Sequence, residues 1–444
     1  MPELHRPDSG DHGHRRLLPT LLIPAFVSLL AVSSVNVILT SVSHSLKAGG
    51  GGLQLVVSGY ALVFGVVLVP AGRAGDVLGR GRLFAVGMLV FGLGSLASGL
   101  APSIMTLNLS RIVMGVGSGL LNPQVTGMIQ QYYTGRARGR VAGGRPPHSA
   151  PASGAGRIGM DLDPVGMTLL ATATLLVMIP FMESSAGAWI WLIEPAGVGV
   201  VAVWVFWERR YRARGGAPMV DLSLFAIPSF AYGCLAIAVY FLGYTSVWII
   251  IAQYLQDGLG ASALASGIVG VPASLMGAVA APLAGRRVIG VGRTMVLVGM
   301  LLGVAGLLAS VGVIHMHAVA GWSPWWIALT LLALGVGQGI VVSPNQTLSL
   351  TDVPLEYAGA AGGILQTGQR IGTSIGIAAI TGVTFRAAGA SGWDTAAQTG
   401  LLAAAVVIIA SAAVAMVDLR ASRSSRSTRS RPGRGSRDGD AGES

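Results

Sequence analysis

The stretch AGRAGDVLGRGRLFAVGM, Ala71 to Met88, sets three arginines and an aspartate among five glycines. It lies between two apolar runs, about 55–71 and 83–101, each of a length that crosses a bilayer as a helix. A second version, AGRRVIGVGRTMVLVGM, runs from Ala284 to Met300, again between two apolar runs. Further on, MGVGSGLLNP from Met114 is echoed by LGVGQGIVVSP from Leu334. Two echoes in the same order predict a duplicated, helical chain whose halves pack about a pseudo-symmetry axis.

Composition agrees. Of 444 residues, 52% are hydrophobic and 11% charged, where a soluble domain carries about 25% charge. Apolar runs recur at about 17–40, 55–71, 83–101, 104–129, 164–182, 189–207, 229–252, 263–284, 294–314, 326–348, 359–384 and 400–418. The expectation is an all-α polytopic membrane protein with about twelve spans, the first kept and not cleaved as a signal.

The net charge of +11 invites a nucleic-acid reading, and its distribution argues against one. With loops numbered alternately from the inside, 25 of the 29 Lys and Arg fall inside; Lys47 and Arg386 fall outside, and Arg111 and Arg370 within spans. That is the positive-inside pattern. It puts both termini in the cytoplasm of a multi-pass plasma-membrane protein and predicts lipids, not nucleic acid, as surroundings. Trp207, Tyr211, Trp322, Trp325, Trp326 and Trp393 fall near span ends, where interface aromatics belong. Cys234 is the only cysteine, so no disulfide closes within the chain.

The duplication exposes a gap. After LGVGQG the second half continues with two apolar helices. After MGVGSG the first half runs into GRARGRVAGGRPPHSAPASGAGRIGMDLD, Gly135 to Asp163, which cannot span. Either the hairpin 164–207 fills the two missing places or they are empty. The second half's fifth helix carries Gly368, Gly372 and Gly376 at i+4 spacing for close contact, whereas 164–182 has one glycine. Absence is the preferred expectation.

Several residues carry candidate chemistry. Gly72, Asp76, Gly79, Arg80 and Arg82 form a charged turn that can act as a conformational switch. Asp76 and Arg80 can pair if the turn is helical, and Asp76 can cap a neighbouring helix N-terminus. Arg111 sits within a span, where an arginine is costly and calls for a partner; Asn36, Tyr60 and Asn122 are the polar candidates. Glu194 is the clearest carboxylate within a span. Gln338, Asn345, Gln366, Gln369 and Arg370 form a polar set that lines a cavity or hydrogen-bonds between helices. His315 and His317 are expected in an outside loop, as a weak metal signal. No phosphate-binding loop, zinc-protease or nucleophile-elbow motif is found, so an enzyme is not expected and no cofactor is called for.

The phrases GYALVFGVVLVPAGRAGDVLGR and SRIVMGVGSGLLNPQ resemble the major facilitator superfamily, in its 14-helix drug:proton antiporter branch. The resemblance covers nearly all of 17–420. It implies two pseudo-symmetric six-helix bundles joined by an extra helix pair, whose start MDLDPVGM resembles. The family's fourth-helix motif, Arg followed by Gly-x-Gly, matches Arg111, Gly115 and Gly117, and puts them in a coupling and substrate path with Asn36, Tyr60 and Asn122. Two departures stand out. The Gly-Pro motif of the fifth helix has no counterpart, and Ala31 stands five before Asn36, where many members carry an acid.

The implied organisation is a tail at 1–16, a four-helix first half at 17–131, a polar cytoplasmic linker at 132–163, the hairpin 164–207, a basic loop at 208–228, a six-helix second half at 229–420, and a disordered basic tail at 421–444. The implied function is proton-driven efflux of small amphipathic compounds by alternating access. The alternative is a truncated, transport-inactive member lacking helices five and six. A protease added to inside-out vesicles is expected to cut between Arg140 and Gly159; cutting only from the outer face would reverse the topology.

Overall fold

The computed structural model describes residues 23–24, 27–28, 31, 42, 45–46, 50–141, 163–182, 187–216, 218, 220–354 and 357–429. These residues form helices α1 (Gly50–Leu78), α2 (Arg80–Gly99), α3 (Ile104–Val141), α4 (Pro164–Met182), α5 (Ile193–Ala213), α6 (Pro228–Gln253), α7 (Ala263–Val291), α8 (Arg293–Ala320), α9 (Ile327–Leu350), α10 (Ala358–Gly376) and α11 (Gly382–Arg429). Ten helical stretches among the described residues are long and apolar enough to cross a membrane. The last, Ala358–Arg420, has 63 residues. At about 1.5 Å per residue it would overrun a ~30 Å hydrocarbon core threefold. Gly392, at φ 81° and ψ 170°, breaks it into two passes. The chain is an all-helical, multi-pass membrane protein. Of the predicted first span, Ile23, Pro24, Val27, Ser28 and Ala31 are helical, and the rest lies outside the described residues.

The duplication is built into the packing. Gly79 (φ 101°) precedes α2 and Gly292 (φ 65°) precedes α8, so a positive-φ glycine starts the third helix of each half. The following helices meet through glycine as well. A Cβ on Gly87 would lie 3.0 Å from the Gly117 carbonyl, and one on Gly299 2.9 Å from that of Gly337. Such backbone-to-backbone approach is the usual way helices associate where lipid removes the hydrophobic drive. The first arginine of each third helix then reaches a backbone carbonyl of the fourth. Arg80 Nη1 donates to Gly127 O at 2.9 Å, and Arg293 Nη2 to Leu348 O at 3.4 Å and Ser229 O at 2.9 Å. Arg293 also forms a buried ion pair with Asp418 at 2.6 Å.

Three boundaries differ from expectation. Helix α3 continues to Val141, ten residues into the stretch expected as linker, because 132–141 holds no proline; residues 142–162 lie outside the description. Helix α8 runs to Ala320, so His315 and His317 occupy its last turns and not a loop, with His317 Nδ1 2.6 Å from Trp322 O. Helix α11 extends to Arg429, past the expected start of the tail, and 430–444 lie outside the description.

In the second half the outgoing part of α11 packs on α6 and α8, and α10 packs on α6. In the hairpin, α5 packs on α4, and α4 lies against α1 and α10. Two acids anchor its base. Asp163 accepts from Gly166 N at 2.9 Å and Trp207 Nε1 at 3.0 Å, and Glu208 accepts from Trp204 Nε1 at 2.9 Å. The most apolar window of α7 is 28% buried and that of α2 22%, against 50% for each of α1 and α8.

Removing one partner of a buried ion pair typically costs about 3–5 kcal/mol. Asp418→Ala is therefore expected to lower the melting temperature of the purified protein in detergent sharply. The double change Asp418→Leu with Arg293→Met should recover most of the loss. Equal melting of Asp418→Ala and wild type would rule out a structural role for the pair.

Candidate functional site

The two halves meet along α1 and α10, and glycine permits it. A Cβ on Gly359 would lie 2.6 Å from both Gly72 O and Asp76 Oδ1, and one on Gly363 2.9 Å from Val69 Cα. With the backbones this close, the Asp76 carboxylate reaches the N–H groups at the start of α10 that have no partner within the helix. Gly359 N donates to Oδ1 at 3.1 Å and Ala360 N to Oδ2 at 3.0 Å. Arg80 donates to the same carboxylate through Nε at 3.0 Å and Nη2 at 2.8 Å. One acid thus caps a helix of the opposite half and holds an arginine of its own. Gly79 supplies the turn, and Arg82 is exposed.

More contacts cross at the same end. Thr126 Oγ1 accepts from Gln346 Nε2 at 3.1 Å and Gln366 Nε2 at 3.4 Å. The buried Arg73 lies over the Tyr357 ring at 5.8 Å. Deeper in, Thr367 Oγ1 donates to Gly65 O at 3.5 Å. Asp76 and Gly65 are eleven residues apart on α1, about 16 Å of helix rise, so these bonds span only the basic half of the membrane thickness.

At mid-depth an aromatic pair separates two arginines. Tyr60 and Phe64 have ring centroids 6.0 Å apart; Arg111 lies over Tyr60 at 4.6 Å and Arg370 over Phe64 at 4.5 Å. Arg111 is 3% exposed and donates to two carbonyls, from Nε to Val56 O at 3.0 Å and from Nη1 to Ala31 O at 3.1 Å. Its partners are therefore backbone and a ring. Tyr60 Oη meets Ser28 O at 2.5 Å and Ser118 Oγ at 2.6 Å, and Asn122 Nδ2 donates to Ser28 Oγ at 3.0 Å, not to the arginine. Asn36 lies outside the described residues. Gly115 lets α3 approach α1: a Cβ there would lie 2.8 Å from Tyr60 O. Gly117 meets Phe91 of α2 instead, its Cβ position 2.7 Å from Phe91 Cα.

The second-half polar set separates. Asn345 is buried and donates to Gly233 O at 3.1 Å, a bond between helices of one half. Gln338 accepts from Tyr244 Oη at 2.7 Å. Gln366 and Arg370 reach the opposite half, and Gln369 is half-buried beside them. Sequence reasoning missed Arg73, Thr126, Tyr357 and Gln346. Their signal is tertiary, since each faces a residue of the other half.

The duplicated halves, the glycine seam and the charged turn between the second and third helices coincide with a family match: the Major Facilitator Superfamily model fits residues 21–377. The chain belongs to the major facilitator superfamily. It is a membrane transporter of that superfamily and not an enzyme. Among its relatives is a probable actinorhodin transporter of Streptomyces coelicolor, 27% identical over 82% of this chain and 71% of the relative. The multidrug resistance protein Stp of Mycobacterium tuberculosis is 27% identical over 81% of this chain and 73% of its own. The multidrug efflux pump LfrA of Mycolicibacterium smegmatis is 28% identical over 91% and 87% respectively. These three relatives are named as a transporter, a multidrug resistance protein and a multidrug efflux pump.

Gly359→Leu is expected to leave the transporter folded and to hold its halves apart at the basic end. Spin labels on α1 and α10 near Gly72 and Gly359 should report a longer distance by pulsed electron resonance. An unchanged distance would show that the seam does not depend on glycine.

Proposed function

We propose that this transporter is a secondary active exporter of small amphipathic compounds, that it uses the proton gradient and works by alternating access. It sits in the plasma membrane with both termini cytoplasmic. The conformation described here is then the outward-facing one, closed at the cytoplasmic end. The observation that carries this reading is the Asp76 carboxylate of the first half seated on the N-terminus of α10 in the second. Hydrogen bonds to a charged group contribute about 1.5–3 kcal/mol each. A contact present in only one state biases the equilibrium between states by that difference. One such bond corresponds to roughly ten- to hundredfold. The turn 72–82 is the switch in this reading, and Arg111, Gly115, Gly117, Tyr60 and Asn122 stand along the path. Arg370, Gln366, Gln369 and Gln338 supply the polar side of the cavity. Substrate sites at mid-depth between halves are the rule for such folds, and the names of the relatives point to drug-like and antibiotic cargo.

A specific observation supports the second reading, a member with four helices against six and impaired transport. Helix α4 packs on α1 and α10, and no substantial packing of the hairpin on α7 is found among the described residues. The low burial of α7 and α2 falls on the two helices that absent fifth and sixth helices would cover. The alignment with LfrA runs over 459 positions, more than the 444 residues of this chain, so that relative carries residues without a counterpart here.

Everted vesicles decide between the two. Active export predicts that a cationic or neutral amphipathic dye accumulates when a proton gradient is imposed, and that Asp76→Asn cuts the rate at least about tenfold at unchanged expression. Wild-type rates in Asp76→Asn would end the latch. No transport by the wild type, with transport gained when two helices of a relative are inserted at Gly143, would select the second reading.

A further inference from the structure

Two arginines stand within the spans of the halves, Arg111 of α3 and Arg370 of α10. The acids do not accompany them. No Asp or Glu falls between 12 and 75 or between 77 and 160 in the first half, nor between 222 and 256, 258 and 351, or 357 and 393 in the second. The acids of the halves therefore sit near span ends, and the middle depth holds two positive charges with no negative one. Arg111 is held by two carbonyls and the Tyr60 ring. Arg370 is held by less. Its guanidinium lies over the Phe64 ring at 4.5 Å, and it has no hydrogen bond or ion pair among the described residues. A ring face attracts a cation but offers no acceptors for its five donors. A Cβ on Gly65 would lie 3.9 Å from Arg370 Cβ. That sets the arginine near the middle of a ~30 Å hydrocarbon core, deeper than its side chain can reach back to the headgroups. It is half-buried where α10 meets α1 of the other half, with the half-buried Gln369 beside it. A charge kept at such depth is costly and marks the route of a substrate or ion.

We propose that the cargo of this path is an amphipathic organic anion, whose carboxylate accepts two parallel hydrogen bonds from the Arg370 guanidinium. The planar fork of an arginine matches a carboxylate in shape as well as charge. A neutral compound leaves the fork unmatched, and a cation meets two like charges with no acid to offset them. The substrate itself supplies the missing counter-charge. This proposal rests on the export reading and narrows its cargo: a neutral dye still reports export, and a cationic one is expected to be the poorest cargo.

The test uses the full chain in phosphatidylcholine nanodiscs and three probes with one anthracene body: the carboxylic acid, its amide and the aminomethyl analogue. Binding is read by titration calorimetry against empty discs. The acid is expected to bind at least about tenfold more tightly than the amide, the value of one charge-assisted hydrogen bond, and the amine most weakly. Arg370→Gln should bring the acid down to the amide's affinity. Arg370→Lys keeps the charge and loses the fork, so it should retain part of the preference and serves as the second arm should the glutamine variant not fold. Equal binding of acid and amide, a preference that survives Arg370→Gln, or tightest binding of the amine overturns the proposal. Loss of the preference in chloride but not in gluconate would overturn it in favour of an inorganic anion. The same probes in proteoliposomes under an imposed proton gradient separate this proposal from the export reading. An acid preference in binding with no probe moved would end export and leave the anion site. Transport of all three probes at one rate, with no preference in binding, would keep export and end the anion site.

Discussion

The approach of Gly72 to Gly359 is the contact on which the arrangement of the halves depends. Neither residue can carry a side chain there without meeting the other backbone. Only this separation lets a residue as short as aspartate span from one half to the helix start of the other. The interaction is electrostatic and made by a single carboxylate, so it has few groups to rearrange when it breaks. The surrounding contacts, Thr126 with two glutamines and Arg73 over Tyr357, are similarly polar and individually weak. A seam of this kind holds without fusing, unlike the dense apolar core inside the second half.

The duplication is close in backbone and unequal in charge. Arg80 and Arg293 start equivalent helices after positive-φ glycines, and both donate to a backbone carbonyl of a fourth helix. Arg80 takes its acid from the turn before it, and that acid also serves the opposite half. Arg293 takes its acid from the last helix of its own half. The first half has Asp76 four residues before Arg80, and the second half has Ile289 four residues before Arg293. The second half is thus tied to itself, and the first carries the charged contact between them.

Much of this was legible in the sequence. Apolar runs mark helices because a bilayer demands them, and the repeated charged turn marks the halves because glycine is needed for its geometry. The Asp76–Arg80 pair followed from four-residue spacing on a helix. Less could be read where partners are distant in sequence. Arg111 looked like a cation in need of a polar side chain, and it is instead held by two carbonyls and a ring. Asn345 belonged to a set read as lining a cavity or bonding between helices, and its bond to Gly233 fits the second. Asp418, near the end of the last span, gave no sign of its partner in the charged turn of the second half.

The hairpin has a mechanical consequence. Helix α4 touches α1 of one half and α10 of the other, and a Cβ on Gly65 would lie 3.1 Å from Met178 Sδ and 3.9 Å from Arg370 Cβ. It therefore lies astride the joint, not to one side of it. Any rocking of the halves has to shear one of these two faces, and the flexible thioether of Met178 sits where the sliding would occur. In the proposed transport cycle this contact would act as a friction bearing, setting how freely the joint turns.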